Sequence, residues 1–411
     1  MTTSTQVAGP ARAALPTSWS GVFAIALGAF ALVVAEFVPV GALPQIAEDL
    51  DISQGTAGLF VTATALVGMI AAPSAAILAR DLDRRLVLIS LTVLLLASSV
   101  LSALADSFVL LLVARLVLGA GVGGFWAISI SAAARLVPPD RVHTASSMVF
   151  GGIAIGSVVS VPASTLIASH ASWHVAFAAA AVLAVLTLVA QALMVPRIVA
   201  HEAVGLRHFL DVFGSRRITL LLAGAVLIVS GHFAAYTFIV PYLRQTTHLG
   251  SSTVSGLLLM YGTLTVVGNF VGGAAAGRRL LTTVATTGIG YTVSLVLVSA
   301  LGSSEVVIVG LVGWALAWGA APVGIQLWLH REAEGRFSGE AVQALYTCLF
   351  QLSIALGSLL GSITVNVSSE RFGMWLGAVL VAAATVAVLF LVRVVRSGGR
   401  RASLRPADGL G

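Results

Sequence analysis

Twelve apolar runs of about twenty residues, separated by short polar breaks, constrain this chain more than anything else in it. A run of that length, coiled as a helix, matches the hydrocarbon core of a bilayer. The runs lie roughly at 20–43, 55–79, 86–105, 108–133, 143–168, 173–195, 218–243, 252–276, 281–301, 305–329, 340–366 and 371–393. Their apolar positions are continuous rather than alternating, which argues against a strand-built barrel. In hydrocarbon each backbone N–H and C=O must be satisfied within its own segment, so helices are the remaining solution. Only 9% of residues are charged, against about 25% in soluble domains, and mean hydropathy is +1.03. Lipid, not a buried core, must therefore take up most of the apolar surface. Residues Met1 to Ser18 are polar, and the stretch after Trp19 is too long for a signal-peptide core, so it reads as an uncleaved first span.

Arginine placement predicts the topology. All 22 basic residues are Arg. With an inside amino terminus, 19 of them fall in inside loops and tails, Arg244 and Arg371 lie outside, and Arg115 falls within a span. Both termini are expected on the cytoplasmic face of the cell membrane, with an even number of spans. The long polar segment from Pro196 to Arg217 splits the spans six and six. The expected organisation is a tail (1–19), a six-helix bundle (20–195), a cytoplasmic linker (196–217), a second six-helix bundle (218–393) and a tail (394–411). The halves also echo one another. IAIGSVV at 153–159 answers IALGSLL at 354–360, and Gly58 with Arg80 answers Gly256 with Arg278, at offsets of 201 and 198. Duplicated bundles of this kind hold a substrate site near the midplane, between the halves.

Several chemistries are argued against at this point. Without lysine there is no P-loop lysine and no Schiff-base amine, which speaks against an ATP-driven pump built from this chain alone. The net charge of +6 comes from Arg in short loops, so no nucleic-acid partner is expected. The lone Cys348 reads as a small core residue. The histidines show no ligand spacing on shared faces, so neither a metal nor a cofactor is expected. The Arg-rich tail from Arg393 to Arg405 reads as an anchor meeting anionic lipid. Clustered glycines at 119, 121, 123 and 124 permit close helix approach.

The strings EFVPVGALPQIAEDL (Glu36 to Leu50), ARLVLGAGVGGFWAIS (Ala114 to Ser129), GHFAAYTFIVPYL (Gly231 to Leu243) and PVGIQLW (Pro322 to Trp328) carry a family likeness. With them the chain resembles the major facilitator superfamily, and within it the twelve-span drug:proton antiporters. FWAIS followed by RLVPPDRV (Arg135 to Val142) is most similar to that family's purine ribonucleoside efflux pumps. The resemblance spans residues 20–393 and implies an all-α membrane protein of the major facilitator fold, twelve transmembrane helices in two six-helix bundles. Two departures stand out. The family's loop after span 2, G-x-L-x-D-R-x-G-R-[RK], here reads AILARDLDRR. Arg84 and Arg85 match, Arg80 replaces the Asp, Asp83 replaces the second Gly, and Asp81 is the candidate for the acidic role. Asp81, Arg84 and Arg85 are the expected gating residues. The antiporter signature of span 5 retains only Pro162.

Glu36 is the only acid in the interior of a predicted span, and a carboxylate there costs several kcal/mol unless paired or protonated. It is the expected proton site; the alternative is a permanently paired structural acid. Arg115 is the only base inside a span. Glu36 lies roughly 24 Å from the inner end of span 1, and Arg115 sits near the outer end of span 4, so the two share a depth. The expectation is that Arg115 stabilises ionised Glu36 until a proton arrives; the alternative is a fixed packing contact. The resemblance implies that spans 1, 4, 7 and 10 line the cavity. Trp126 shares a helical face with Arg115, His232 with Tyr236, and Trp314 with Trp318. These five aromatic and imidazole rings are the expected substrate lining, suited to stacking and edging a flat heterocycle, although rings at that spacing also serve as packing. His232 is a second candidate proton carrier.

The resulting expectation is a monomeric, proton-coupled exporter of small amphipathic or heterocyclic solutes, purine ribonucleosides or drugs, working by alternating access. A proton-linked importer of sugars or other nutrients is the alternative, and a polar, carboxamide-rich cavity would favour it. A channel or membrane sensor lacks a recognisable filter or signalling domain, and an enzyme lacks a nucleophile–base pair.

Overall fold

A computed structural model describes residues 17–78, 82–198, 215–247, 249–300, 303–334 and 339–403. Twelve helices carry these residues: α1 (Trp19–Asp49), α2 (Gln54–Leu78), α3 (Arg84–Ala103), α4 (Phe108–Ala134), α5 (Val142–His170), α6 (Trp173–Met194), α7 (Arg216–Tyr236), α8 (Ile239–Thr247), α9 (Ser251–Ala300), α10 (Ser304–Ala333), α11 (Gly339–Val367) and α12 (Glu370–Ser403). No strand occurs among the described residues. Eleven of these helical segments are long and apolar enough to span a bilayer. The twelve expected spans are accommodated because α9 holds both spans 8 and 9, two helices that meet at a kink at the non-helical Arg279 (φ −141°, ψ 63°). Large apolar side chains such as Leu193, Phe270 and Val367 stand more than 70% exposed on the outside of the molecule. Such a surface is stable only against lipid, which makes this a multi-pass membrane protein.

Three boundaries differ from expectation for local reasons. The first span continues past Leu43 to Asp49 with Pro44 inside the helix. Span 7 breaks at Thr237 and Phe238, and the chain resumes as the short α8. The last helix runs on to Ser403, so residues 394–403 of the expected tail are helical. Most of the expected linker, and Asp81 of the expected gating loop, lie outside the described residues. Asp83, where the family pattern has glycine, has a clear structural task. Its carboxylate accepts from Arg85 N–H and from Ile198 N–H, both at 3.0 Å, capping α3 and tying it to the chain after α6. Arg85 donates to the Ala192 carbonyl at 2.6 Å, and Arg84 N–H to the Ile198 carbonyl at 3.0 Å. The described contacts of Arg85 thus stay within the first bundle.

Helices α1–α6 pack together, as do α7–α12, and the two bundles meet along α2 with α11 and along α5 with α9. Those seams are tight at the end away from the termini. Ser53 Oγ bonds Asn366 Oδ1 at 2.5 Å, Ser358 Oγ donates to the Gly58 carbonyl at 3.0 Å, and Ser255 Oγ donates to the Pro162 carbonyl at 2.8 Å. Glycine makes this approach possible. A Cβ on Gly58 would fall 2.5 Å from the Phe238 ring, and one on Gly262 would fall 2.7 Å from Val158 Cα, in the backbone of α5. Val38, Phe60, Phe238 and Val365, drawn from both bundles, fill the same end.

Gly262→Leu therefore forces α9 away from α5 and opens the end of the molecule opposite the termini. In a Cys348→Ala, Val38→Cys background, a membrane-impermeant thiol reagent added on that side should label the Gly262→Leu protein several-fold faster than its glycine parent. Equal labelling rates would show that the seam does not depend on this contact.

Candidate functional site

The site begins with a proline. Pro39 lies inside α1, and a helical proline supplies no N–H to the carbonyl four residues back and crowds that carbonyl with its ring. The carbonyl concerned is that of Ala35. Arg115 of α4 fills the gap: Nη1 donates to Ala35 O at 3.0 Å, Nη2 to Glu36 O at 3.1 Å, and Nε to Thr64 Oγ1 at 3.2 Å. Its guanidinium carbon also lies 5.8 Å from the centre of the Phe177 ring. Arg115 is 1% exposed. Planar, multidentate donation of this kind suits guanidinium and not ammonium.

The expected ion pair takes a different form here. Arg115 binds the backbone of Glu36 rather than its carboxylate, because the carbonyls of the proline-broken turn take up its donors. Among the described residues no salt bridge joins the two side chains. Nor does Arg115 line the cavity, although Trp126 on the same helix does. Arg115 instead fixes the turn from which the Glu36 side chain projects.

Glu36 is 5% exposed and forms part of the wall of a cavity of about 310 Å³ between the bundles. Small-molecule sites commonly start near this volume. From Glu36 and His232 the cavity extends toward the termini, past Trp126, Phe150, Gln326 and Tyr346. Its opposite end is closed by the seams described above and by Phe37 stacked on Phe233 across the bundles, 6.1 Å between centres at 12°. Gln351 of α11 reaches across to the Glu36 carboxyl, while its Nε2 has no partner of good hydrogen-bonding geometry.

The second bundle supplies an aromatic wall. His232 lies parallel to Trp318 (3.6 Å between centres, 4°) and to Tyr236 (4.9 Å, 20°). Tyr236 in turn stacks on Tyr261 at 5.3 Å. Behind this layer, Tyr291 OH lies 2.8 Å from His232 Nδ1, and Trp314 Nε1–H points at both atoms from 3.2 Å. Of the five rings expected at the site, Trp126, His232, Tyr236 and Trp318 line the cavity and Trp314 does not. Trp314 is fully buried and serves as backing, which is what helical spacing alone leaves undecided. Tyr261, Tyr346, Phe350 and Gln351, which also line the cavity, and Tyr291 behind it are new. They sit on α9 and α11; Tyr261, Tyr291 and Gln351 have no ring at helical spacing beside them, whereas Tyr346 and Phe350, four residues apart, repeat the spacing of His232 and Tyr236 and were open to the same reading.

On the wall Ser160 Oγ is buried without a hydrogen-bond partner, while Tyr261, Tyr346 and Gln351 approach Thr265, Gln326 and the Glu36 carboxyl. A buried polar atom left unmatched, as Ser160 Oγ is, costs about 1–3 kcal/mol. A wall of rings that also carries hydroxyl and amide groups suits a flat solute with its own donors and acceptors. Among the described residues no cluster of His, Cys, Asp or Glu has the shape of a metal site.

The Major Facilitator Superfamily model matches residues 25–349. The chain belongs to this superfamily. Its fold is accordingly the major facilitator fold, and the chain is a transporter of small molecules rather than a member of an enzyme family. A purine ribonucleoside efflux pump, NepI, of Escherichia coli K12 is 31% identical over 356 residues, covering 85% of this chain and 88% of that protein. A protein named transcription regulatory protein OpdE, of Pseudomonas aeruginosa, is 32% identical over 351 residues, with 84% and 87% covered. A crystal structure of a bacterial homologue of the human lysosomal transporter Spinster, inward-facing and unoccupied, superposes with a TM-score of 0.74 at 15% identity, covering 91% of this chain and 96% of that one. That likeness concerns the fold alone.

Arg115→Lys should cost about 1–3 kcal/mol, because one ammonium cannot satisfy Ala35 O, Glu36 O and Thr64 Oγ1 together. The expected outcome is a melting temperature in detergent several degrees below wild type, with loss of transport. An unchanged melting temperature would remove Arg115 from its place at the proline break.

Proposed function

We propose that this transporter is a proton-coupled exporter of small heterocyclic solutes, with Glu36 as the proton site. The carrying observation is the setting of Glu36: a buried carboxyl on the wall of a cavity framed by both bundles, with no counter-ion bonded to it among the described residues. A carboxylate taken from water needs either an opposite charge or a proton. The nearby guanidinium has its donors on backbone carbonyls, so the proton is the partner that can come and go. Arg115 acts as a positioning residue, and its charge still favours the ionised acid from a distance.

In this reading the state described here faces the cytoplasm, the side on which the arginine bias places the termini. Solute enters between Trp126, Trp318 and Tyr236. Proton release from Glu36 and the rocking of one bundle against the other then follow in an alternating-access cycle. One chain supplies both walls, so a monomer is a complete unit. The names of the ribonucleoside-pump relatives, the ring-lined wall and its hydroxyl and amide groups together favour purine ribonucleosides, or drugs of similar shape, as cargo.

Glu36→Gln keeps the size and most hydrogen-bonding capacity of the side chain but cannot release a proton. In inside-out vesicles it should abolish solute uptake driven by a pH gradient while equilibrium binding to purified protein persists within a few-fold. Full gradient-driven uptake in this variant would end the assignment of Glu36.

A further inference from the structure

Tyr291 and Trp314 form a triangle with His232 Nδ1 that decides which imidazole nitrogen carries hydrogen. An indole N–H is a donor only. Trp314 Nε1–H lies 3.2 Å from both His232 Nδ1 and Tyr291 OH, and those two lie 2.8 Å apart. With Nδ1 bare, Tyr291 donates to it, Trp314 donates into the pair, and every hydrogen has an acceptor. With hydrogen on Nδ1, that N–H opposes the indole N–H, and the Tyr291 hydroxyl hydrogen is left without an acceptor. Tyr291 and Trp314 are both fully buried, so water cannot relieve the mismatch and the cost is that of an unmatched buried donor.

The rest of the ring's surroundings direct what remains. Trp318 and Tyr236 both lie parallel to the imidazole and make no ring contact with each other, so they cover opposite faces. The Nδ1 edge is taken by the triangle. His232 nonetheless lines the cavity, and the edge left to do so carries Nε2.

We propose that His232 is a fixed hydrogen-bond donor, Nε2–H, that selects solutes presenting a ring nitrogen or carbonyl acceptor, with Tyr291 as the positioning residue that sets this tautomer. The donor role rests on the cavity being the solute site, as proposed above. It also reassigns His232: a ring locked at Nδ1 and stacked on both faces works as a selector, not as a carrier of the coupled proton. The discrimination is strong in principle, because a cargo lacking the acceptor leaves a buried N–H unmatched.

Two measurements test it on the full-length protein. In the first, ¹⁵N NMR of histidine-labelled protein, with the His232 signals assigned by their loss in His232→Phe, should show the Nε2–H tautomer. Tyr291→Phe should shift Nδ1 toward a weakly bonded nitrogen and admit the other tautomer, because only the long, shared Trp314 contact then remains. A wild-type signal from the Nδ1–H tautomer would overturn the proposal. In the second, binding of adenosine is compared with that of its 1-deaza, 3-deaza and 7-deaza analogues. Wild type should bind at least one analogue about tenfold more weakly, and His232→Phe, which keeps a stackable ring, should lose that discrimination. Discrimination that persists in His232→Phe, or that is absent from wild type, rejects the donor role. If wild type binds none of these nucleosides, the cargo assignment fails and the donor role falls with it, whereas the spectrum still decides the tautomer.

Discussion

A guanidinium set against a proline-broken turn holds this structure's centre together. Pro39 removes one rung from the hydrogen-bond ladder of α1, and in a membrane interior an orphaned carbonyl has no water to turn to. Arg115 supplies the missing donors from α4 and anchors to Thr64 on α2 with its third. Three helices of the first bundle are thereby fixed at the depth where Glu36 projects. The charge of Arg115 is tolerated for the same reason: it is spent on carbonyl and hydroxyl oxygens whose own burial required a partner.

The same device recurs between the bundles. Pro73 frees the carbonyl of Met69 in α2, and Cys348 of α11 approaches that oxygen with its Sγ at 3.6 Å. Around it, glycine lets backbone meet backbone. Gly262 lies on Val158 and Gly58 on Phe238, so at the far end glycine lets backbone and ring pack closely between the bundles. The cavity is correspondingly asymmetric. The first bundle contributes the acid on a stiffened turn, and the second contributes stacked rings backed by a buried hydrogen-bond triangle.

Much of this was legible in the sequence because bilayer physics is so restrictive. Length and continuity of the apolar runs predict helices, and the runs of α2 to α6 match their helices to within a few residues. The exceptions are instructive. Spans 8 and 9 meet without an intervening loop: two arginines and no proline or glycine separate Gly277 from Leu280, and the chain turns at Arg279. The break in span 7 at Thr237 and Phe238 is announced by Pro241, which supplies no N–H to the Thr237 carbonyl four residues back. At the site, Glu36 stood out because a lone acid in an apolar run is costly, and four of five expected rings line the cavity. Trp314 turned inward, and Tyr261, Tyr291 and Gln351 went unnoticed, since a helical face says which residues share a side but not what that side meets.

The sequence alone determined the solvent, the secondary structure and the two exceptional ionisable residues, because each follows from the cost of exposing polar groups to hydrocarbon. It could place Glu36 and Arg115 at one depth. Only the tertiary structure decided that the guanidinium binds backbone carbonyls instead of the carboxylate, and that His232 offers one edge rather than either. Those outcomes depend on competition among several donors and acceptors within about 3 Å of one another, and such competition is settled by how helices distant in sequence pack together, which no local pattern encodes.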